Sequence, residues 1–223
     1  SIISADHIIC VSKNTQNDLL IYYNVDENKT SVIYHGVDNV KTDGIRIVDE
    51  PYVLFVGKRG GYKNFEKALK AFSQSKLFKD FKFVCFGGGH FNEYEISLIS
   101  TLGLESKILM YNGSDSFLAS LYQYAYMLLY PSLYEGFGLP VLEAMVNNCP
   151  VICSHGSSLP EVVNNAALLI DCSNTDALID GINTIYENVN FRNQLVKLGE
   201  ENVSKFSWKK TAVETIDIYR KLI

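Results

Sequence analysis

The feature that most constrains this chain is an alternation along its length: apolar runs as long as a strand are separated by amphipathic stretches as long as a helix. The runs fall at 7–11, 31–34, 52–56, 82–86, 107–111, 127–130, 151–153 and 167–170. This pattern predicts βαβ units and a mostly parallel sheet. Tyr52-Val53-Leu54-Phe55-Val56 and Met127-Leu128-Leu129-Tyr130 have no polar face, so such strands need helices on both sides. Phe65, Ala68, Leu69 and Phe72 recur at helical spacing, as do Leu118, Leu121, Tyr122 and Ala125. Each set predicts a helix lying on the sheet, the second capped by Asp115. Further helices are predicted at 14–23, 175–188, 191–203 and 208–222, with Ser207 capping the last and Gly199 weakening the one before it. The expected fold class is α/β, a Rossmann-like parallel sheet with helices on both faces.

A polar stretch at 39–49, with Lys41, Thr42, Asp43, Gly44 and Arg46, predicts a boundary. Residues 1–38 hold two short strands and one helix, too little for a domain and more like the tail of another. The main unit is then 39–205, with 206–223 as a trailing helix. Ser1 leads straight into Ile2-Ile3, so the chain is expected to be a fragment or a processed product.

Several function classes drop out on composition. A net charge of −5 argues against a general nucleic-acid binder, which needs a basic face to displace counterions from phosphate. The five cysteines, Cys10, Cys85, Cys149, Cys153 and Cys172, are odd in number and sit mostly in apolar runs. They read as buried reduced thiols of a cytoplasmic protein. His7, His35, His90 and His155 are scattered, and no ligand spacing suits zinc, so no metal site is expected. The longest apolar stretch, 117–130, is interrupted by Ser120 and Gln123 and falls short of the ~20 residues of a membrane span.

Three glycine-bearing strand ends carry the chemistry. In Tyr134-Glu135-Gly136-Phe137-Gly138-Leu139-Pro140-Val141-Leu142-Glu143-Ala144, proline suits the first turn of a helix and the glycines let a ligand approach the backbone. Free amides at such a helix start attract an anion. Glu135 and Glu143 are expected to frame one phosphate-sized hole and to accept from sugar hydroxyls. In Val56-Gly57-Lys58-Arg59-Gly60-Gly61-Tyr62-Lys63-Asn64, three cations crowd a strand end, where α/β folds bind ligands. Their repulsion calls for an anion or for carboxylates. Asn64 after Lys63 rules out a Walker A loop. Phe86-Gly87-Gly88-Gly89-His90 reads equally as a nucleotide floor or a flexible turn. His35 reads as a packed structural histidine, and Glu161 after Pro160 reads equally as a cap or a ligand contact.

In this order, these motifs resemble the retaining GT-B glycosyltransferases of family 4 (group 1), specifically their C-terminal, donor-binding domain. The Glu-Gly-Phe-Gly-Leu-Pro-x-x-Glu-Ala string, with Glu135 and Glu143, is the most specific element. Gly57-Lys58 with Lys63 looks like the family's Gly-Arg-x-x-x-x-Lys diphosphate clamp, with Lys58 where arginine is usual and Arg59 beside it. The resemblance implies a catalytic set of Lys58, Arg59, Lys63 and Glu135. It implies donor contacts from Gly57, Met110, Tyr111, Gly136, Phe137, Gly138, Leu139 and Glu143. The 110–113 backbone would edge the base, Glu143 the ribose and Glu135 the sugar. It implies a GDP- or UDP-linked donor sugar, a lean toward mannose, and no cofactor or metal. The glycan or lipid-linked acceptor would bind a missing N-terminal domain, to which the last helix would cross back. The fragment alone would be inactive, and the longer enzyme would work in the cytoplasm, with room for peripheral association at the inner face of the membrane. A non-catalytic sugar-nucleotide-binding subunit is the alternative.

Overall fold

The computed structural model describes every residue except Ser1, Ile3, Lys41 and Asp43, so those parts of the predicted start and boundary lie outside the described residues. In chain order the elements are β1 (Ile8–Cys10), α1 (Lys13–Tyr22), β2 (Thr30–Val32), β3 (Tyr52–Val56), α2 (Phe65–Gln74), β4 (Lys82–Phe86), α3 (Glu93–Thr101), β5 (Ile108–Tyr111), α4 (Asp115–Tyr124), β6 (Met127–Tyr130), α5 (Leu139–Val146), β7 (Val151–Ser154), α6 (Leu159–Val163), β8 (Leu168–Ile170), α7 (Thr175–Glu187), α8 (Val189–Val203) and α9 (Trp208–Leu222). β1 and β2 pair in a small parallel sheet of their own. The other six strands form one sheet in the order β5-β4-β3-β6-β7-β8, every neighbouring pair parallel.

That order reverses direction between β3 and β6, and ligands bind outside the strand ends at such a switch point. The strands there are the two without a polar face, and their burial explains why. Val53 and Phe55 pack into one core with Phe65, Leu69, Phe72 and Ile182. Tyr52, Leu54 and Val56 pack into the opposite core with Leu121, Tyr122, Leu142 and Met145. Helices therefore cover both faces. At about 25 cal/mol per Å² of apolar surface, such two-sided burial is the main stabilising contribution to the strands.

Local chemistry differs from the sequence reading in three places. The cap of α4 is Ser114, whose hydroxyl accepts from the Phe117 amide at 3.3 Å. Asp115 is the first helical residue, where its charge still suits the helix dipole. Helix α8 runs unbroken through Gly199, where a methyl would lie 3.2 Å from Met145 Cγ, so the glycine lets α8 close on α5. Helix α3 was not assigned from the sequence; its start is fixed by a capping box between Asn92 and Glu95. Among the described residues no helix is long and apolar enough to cross a membrane. The five cysteines are free and buried, and burial pushes the Cys172 thiol up to about 12.

Candidate functional site

Two loops meet at the switch point, one leaving β3 and one leaving β6. Gly57 follows β3, and its amide donates to the Phe86 carbonyl at 2.9 Å. A short 3-10 turn at Gly61–Lys63 returns Lys63 over Gly57, so closely that a methyl on Gly57 would lie 3.8 Å from the Lys63 ammonium. From the other loop comes Glu135, whose Oε1 accepts from Lys63 Nζ at 2.6 Å. Tyr130, the last residue of β6, closes the triangle: its hydroxyl accepts from Lys63 at 2.8 Å and donates to Glu135 at 2.7 Å. Burial and the Glu135 charge push the Tyr130 hydroxyl far above the ordinary tyrosine range, so it stays protonated and able to donate.

The predicted repulsion among cations is relieved by carboxylates at two of the three, Arg59 and Lys63. Lys58 is exposed, and no hydrogen bond or ion pair engages its side chain among the described residues. Of Lys58 and Arg59, either of which could face the diphosphate on the resemblance, Arg59 turns inward, 7% exposed, which corrects its place in the implied catalytic set. Its Nε pairs with Glu95 at 3.0 Å, and its other nitrogens donate to the carbonyls of Gly87, Gly88, Gly89 and His90. The glycine loop after β4 therefore wraps a guanidinium.

The Glu135–Leu139 turn is held from below by two serines that the sequence did not single out for this role. Ser157 Oγ accepts from the Glu135 amide at 2.9 Å, and Ser158 Oγ contacts the carbonyls of Glu135 and Phe137. Thr15, from α1, donates to the Gly136 carbonyl at 3.2 Å. Gly138, at φ 100°, starts α5 with no side-chain cap, and a methyl there would lie 2.6 Å from Leu159 Cδ2. Only glycine fits, and the first amides of the helix are left without a side-chain acceptor. Phe137 contributes backbone alone. Its ring is 5% exposed and packs against Tyr34, His35 and Phe206, which leaves only its backbone for the implied donor contact.

Glu143 has different hydrogen-bond partners from Glu135. Glu143 lines a cavity of about 180 Å³ with Gly36, Asp38, Asp115, Tyr122, Leu139 and Trp208, and neither Lys63 nor Glu135 lines it. Leu139, at the start of α5, is the link between cavity and turn. Glu143 accepts from the Tyr122 hydroxyl at 3.0 Å. Burial raises its pKa above the usual value of 4.5, the Tyr122 bond lowers it, and the charge of Asp115 raises it further. Met110 and Tyr111 end β5 half-buried, with the Tyr111 carbonyl accepting from Gly87 at 3.0 Å.

Glu161 has a role that neither sequence reading named. It caps α1, not its own helix, accepting from the amides of Lys13 and Asn14 at 3.0 and 2.9 Å. It also accepts from the Tyr34 hydroxyl at 2.7 Å, whose pKa burial and that bond push up to about 12. Helix α1 and Tyr34 are tied to the main unit through this carboxylate. His35 packs between Phe137 and Trp208, with burial lowering its pKa. Among the described residues, no group of three or more metal-ligating side chains is gathered to hold an ion.

Comparison with known proteins adds sequence and fold likeness to this geometry. The model for glycosyl transferases group 1 matches residues 40–202, and that for glycosyltransferase family 4 matches residues 2–41. An uncharacterized glycosyltransferase of Methanocaldococcus jannaschii is 28% identical over 96% of this chain and 59% of its own length. The O-antigen chain mannosyltransferase RfbU of Salmonella typhimurium is 36% identical over 74% of this chain and 46% of its own. Mannosyltransferase B of Escherichia coli O-antigen chains is 32% identical over 77% and 46%. The chain thus spans about half the length of these relatives. Among solved structures, Anabaena HepE in complex with UDP and glucose superposes with a TM-score of 0.87 at 18% identity, covering 97% of this chain and 64% of that one. Sucrose-phosphate synthase of Thermosynechococcus elongatus gives 0.85 at 25%, covering 99% and 59%.

Proposed function

Because the chain belongs to the group 1 glycosyl transferases and has the α/β architecture of GT-B enzymes, we propose that it is the donor-binding half of a retaining, metal-independent transferase. It moves a hexose from a nucleoside-diphosphate sugar to a glycan or lipid-linked acceptor. Residues 1–38 are, on this reading, the tail of an acceptor domain to which α9 returns, and 39–205 bind the donor. The relatives named as mannosyltransferases support mannose as the sugar.

The observation that carries this reading is at the switch point: a half-satisfied ammonium, Lys63, beside an unengaged Lys58 and a helix start with no side-chain cap. An ammonium has three donors, and Lys63 spends two of them on Glu135 and Tyr130. A diphosphate seated on the Gly138 and Leu139 amides takes the third and draws Lys63 from Glu135. The freed carboxylate then accepts from a hydroxyl of the donor sugar. As the bond from the sugar C1 to the diphosphate oxygen breaks, charge accumulates on that oxygen, and preorganised cations stabilise it. The acceptor oxygen bonds C1 on the same face, and its proton passes to the departing phosphate oxygen. Glu143, in its separate cavity beyond Leu139, accepts from the ribose hydroxyls, with Met110 and Tyr111 at the base.

The test is a thermal-shift panel of GDP, UDP and their hexose conjugates. A ligand at a hundred times its Kd stabilises the chain by about 2.7 kcal/mol, which a melt resolves. If no nucleoside diphosphate moves the melting temperature at millimolar concentration, the donor reading fails.

A further inference from the structure

The sequence places Arg59 among the cations that grip an anion, yet the structure commits it elsewhere. Its guanidinium is held by a carboxylate and four carbonyls, and it lies 4.6 Å from the centre of the Phe91 ring. Glu95 is itself pinned, with Oε1 on Arg59 and Oε2 accepting from the Asn92 amide at 2.9 Å. The loop that Arg59 gathers has three successive glycines at positive φ, 86°, 79° and 73°, a backbone with little stiffness of its own. That loop in turn walls the lysine-bearing turn. A methyl on Gly88 would lie 3.2 Å from the Gly57 carbonyl oxygen, and one on Gly87 3.7 Å from it. Gly57 is also the residue over which the Lys63 ammonium rests.

We propose that Arg59 is a positioning residue. Neutralised by Glu95, it draws the 87–90 carbonyls inward, so that the glycine loop becomes a fixed wall holding the Gly57-Lys58 backbone and, through it, the two lysines that meet the donor. Lys58 precedes Arg59 directly in the chain and is exposed where Arg59 is buried, so pinning Arg59 aims its neighbour outward. Charge-carrying and backbone-fixing roles are thereby divided between adjacent cations. The inference rests on the donor reading above for its effect on ligand, but not for its effect on the loop.

Glu95→Gln separates the two possible roles of Arg59 by sign. If Arg59 positions, losing its anchor loosens the loop, and affinity for GDP or UDP by calorimetry falls roughly tenfold, the scale of one charged hydrogen bond. Uridine or guanosine affinity falls by less than diphosphate affinity, since no residue of the glycine loop lines the Glu143 cavity. If Arg59 instead contacts phosphate, Glu95→Gln frees a cation, and diphosphate affinity holds or rises; that result overturns the proposal. Arg59→Lys keeps the charge but not the fork of donors, and it should reproduce the loss. Native hydrogen exchange supplies a readout without ligand. The Gly57 and Gly87 amides, bonded to Phe86 and Tyr111, should exchange at least tenfold faster in either variant, while the Leu54 and Val84 amides in the strand interiors keep their rates. Unchanged Gly57 and Gly87 exchange in both variants sinks the idea. If the unaltered chain binds no nucleoside diphosphate, the donor reading is what fails, and exchange alone decides for Arg59.

Discussion

Arg59 and Lys63, four residues apart in the chain, each meet a glutamate at the same end of the sheet, and the two pairs are built for different ends. In the first, both side chains are nearly sealed, at 2% and 9% exposure, and the guanidinium has an acceptor at each of its nitrogens. In the second, the side chains are 13% and 12% exposed, and the ammonium keeps one donor unspent. A sealed pair whose guanidinium is wrapped by loop carbonyls presents no face to a ligand. An unsaturated one at a cleft has both a vacant bond and a carboxylate that can be displaced. Exposure and the groups that surround each cation thus separate scaffold from site where net charge does not.

The strongest way to break this contrast is Arg59→Ala. It leaves Glu95 buried without a cation and four carbonyls without their donor, and removing one partner of a buried pair costs about 3–5 kcal/mol. Urea unfolding should show the loss as a lower midpoint with an unchanged slope. A loss under about 1 kcal/mol would mean that the pair is not the scaffold element described.

Next in size is Gly138→Ala. A positive φ at a residue with a side chain and a methyl driven into Leu159 together cost about 2–3 kcal/mol. If the α5 start serves the anion, the same change weakens diphosphate binding in whatever fraction still folds. Retained affinity at lowered stability would detach the helix start from the site.

Which half of the contrast was legible in the sequence follows from how each is encoded. Gly57, Lys63, Glu135 and Gly138 sit at strand ends with glycine neighbours, and the topology of a parallel sheet brings such ends together. Arg59 was not separable from Lys58, because what turns it inward is Glu95, 36 residues away on a helix that was not assigned. Tyr122 and Tyr130 read as apolar members of a helix and a strand, with nothing to mark their hydroxyls as partners of Glu143 and Glu135. Glu161 read as a cap or a contact for its own helix, whereas the amides it serves lie as far as 148 residues back in the chain. Periodicity and turn chemistry are local and can be read; the far partner of a buried polar group is set by packing.

Lys63→Ala tests the open half of the contrast. Its partners Tyr130 and Glu135 remain bonded to each other, so folding stability should fall by only about 1–2 kcal/mol. Calorimetry with GDP or UDP should lose about 2 kcal/mol, one charged hydrogen bond, and with the matching nucleoside almost nothing. Equal losses for diphosphate and nucleoside would remove Lys63 from the phosphate site.

The smallest expected effect concerns the second glutamate, Glu143, whose surroundings differ from those of Glu135 as Arg59's differ from Lys63's. Burial, aided by the charge of Asp115, holds its folded pKa above 4.5, although the Tyr122 hydroxyl pulls the other way. The protonated form is therefore favoured in the fold: the stability this contributes is full below about 4.5 and is lost as pH rises through the folded value. Binding runs oppositely, because two ribose hydroxyls need a carboxylate to accept from. Nucleoside affinity should therefore fall as pH drops through a midpoint above 4.5, by at most about 1.4 kcal/mol per pH unit for one proton. A nucleoside without phosphate keeps phosphate titration out of the measurement, and among the described residues Asp38, Asp115 and Tyr122 are the other titratable groups facing the cavity. Glu143→Gln should flatten the profile and Asp115→Asn should move its midpoint down. A profile that persists in Glu143→Gln would mean that the titrating acceptor is one of those neighbours and that Glu143 does not hold the ribose.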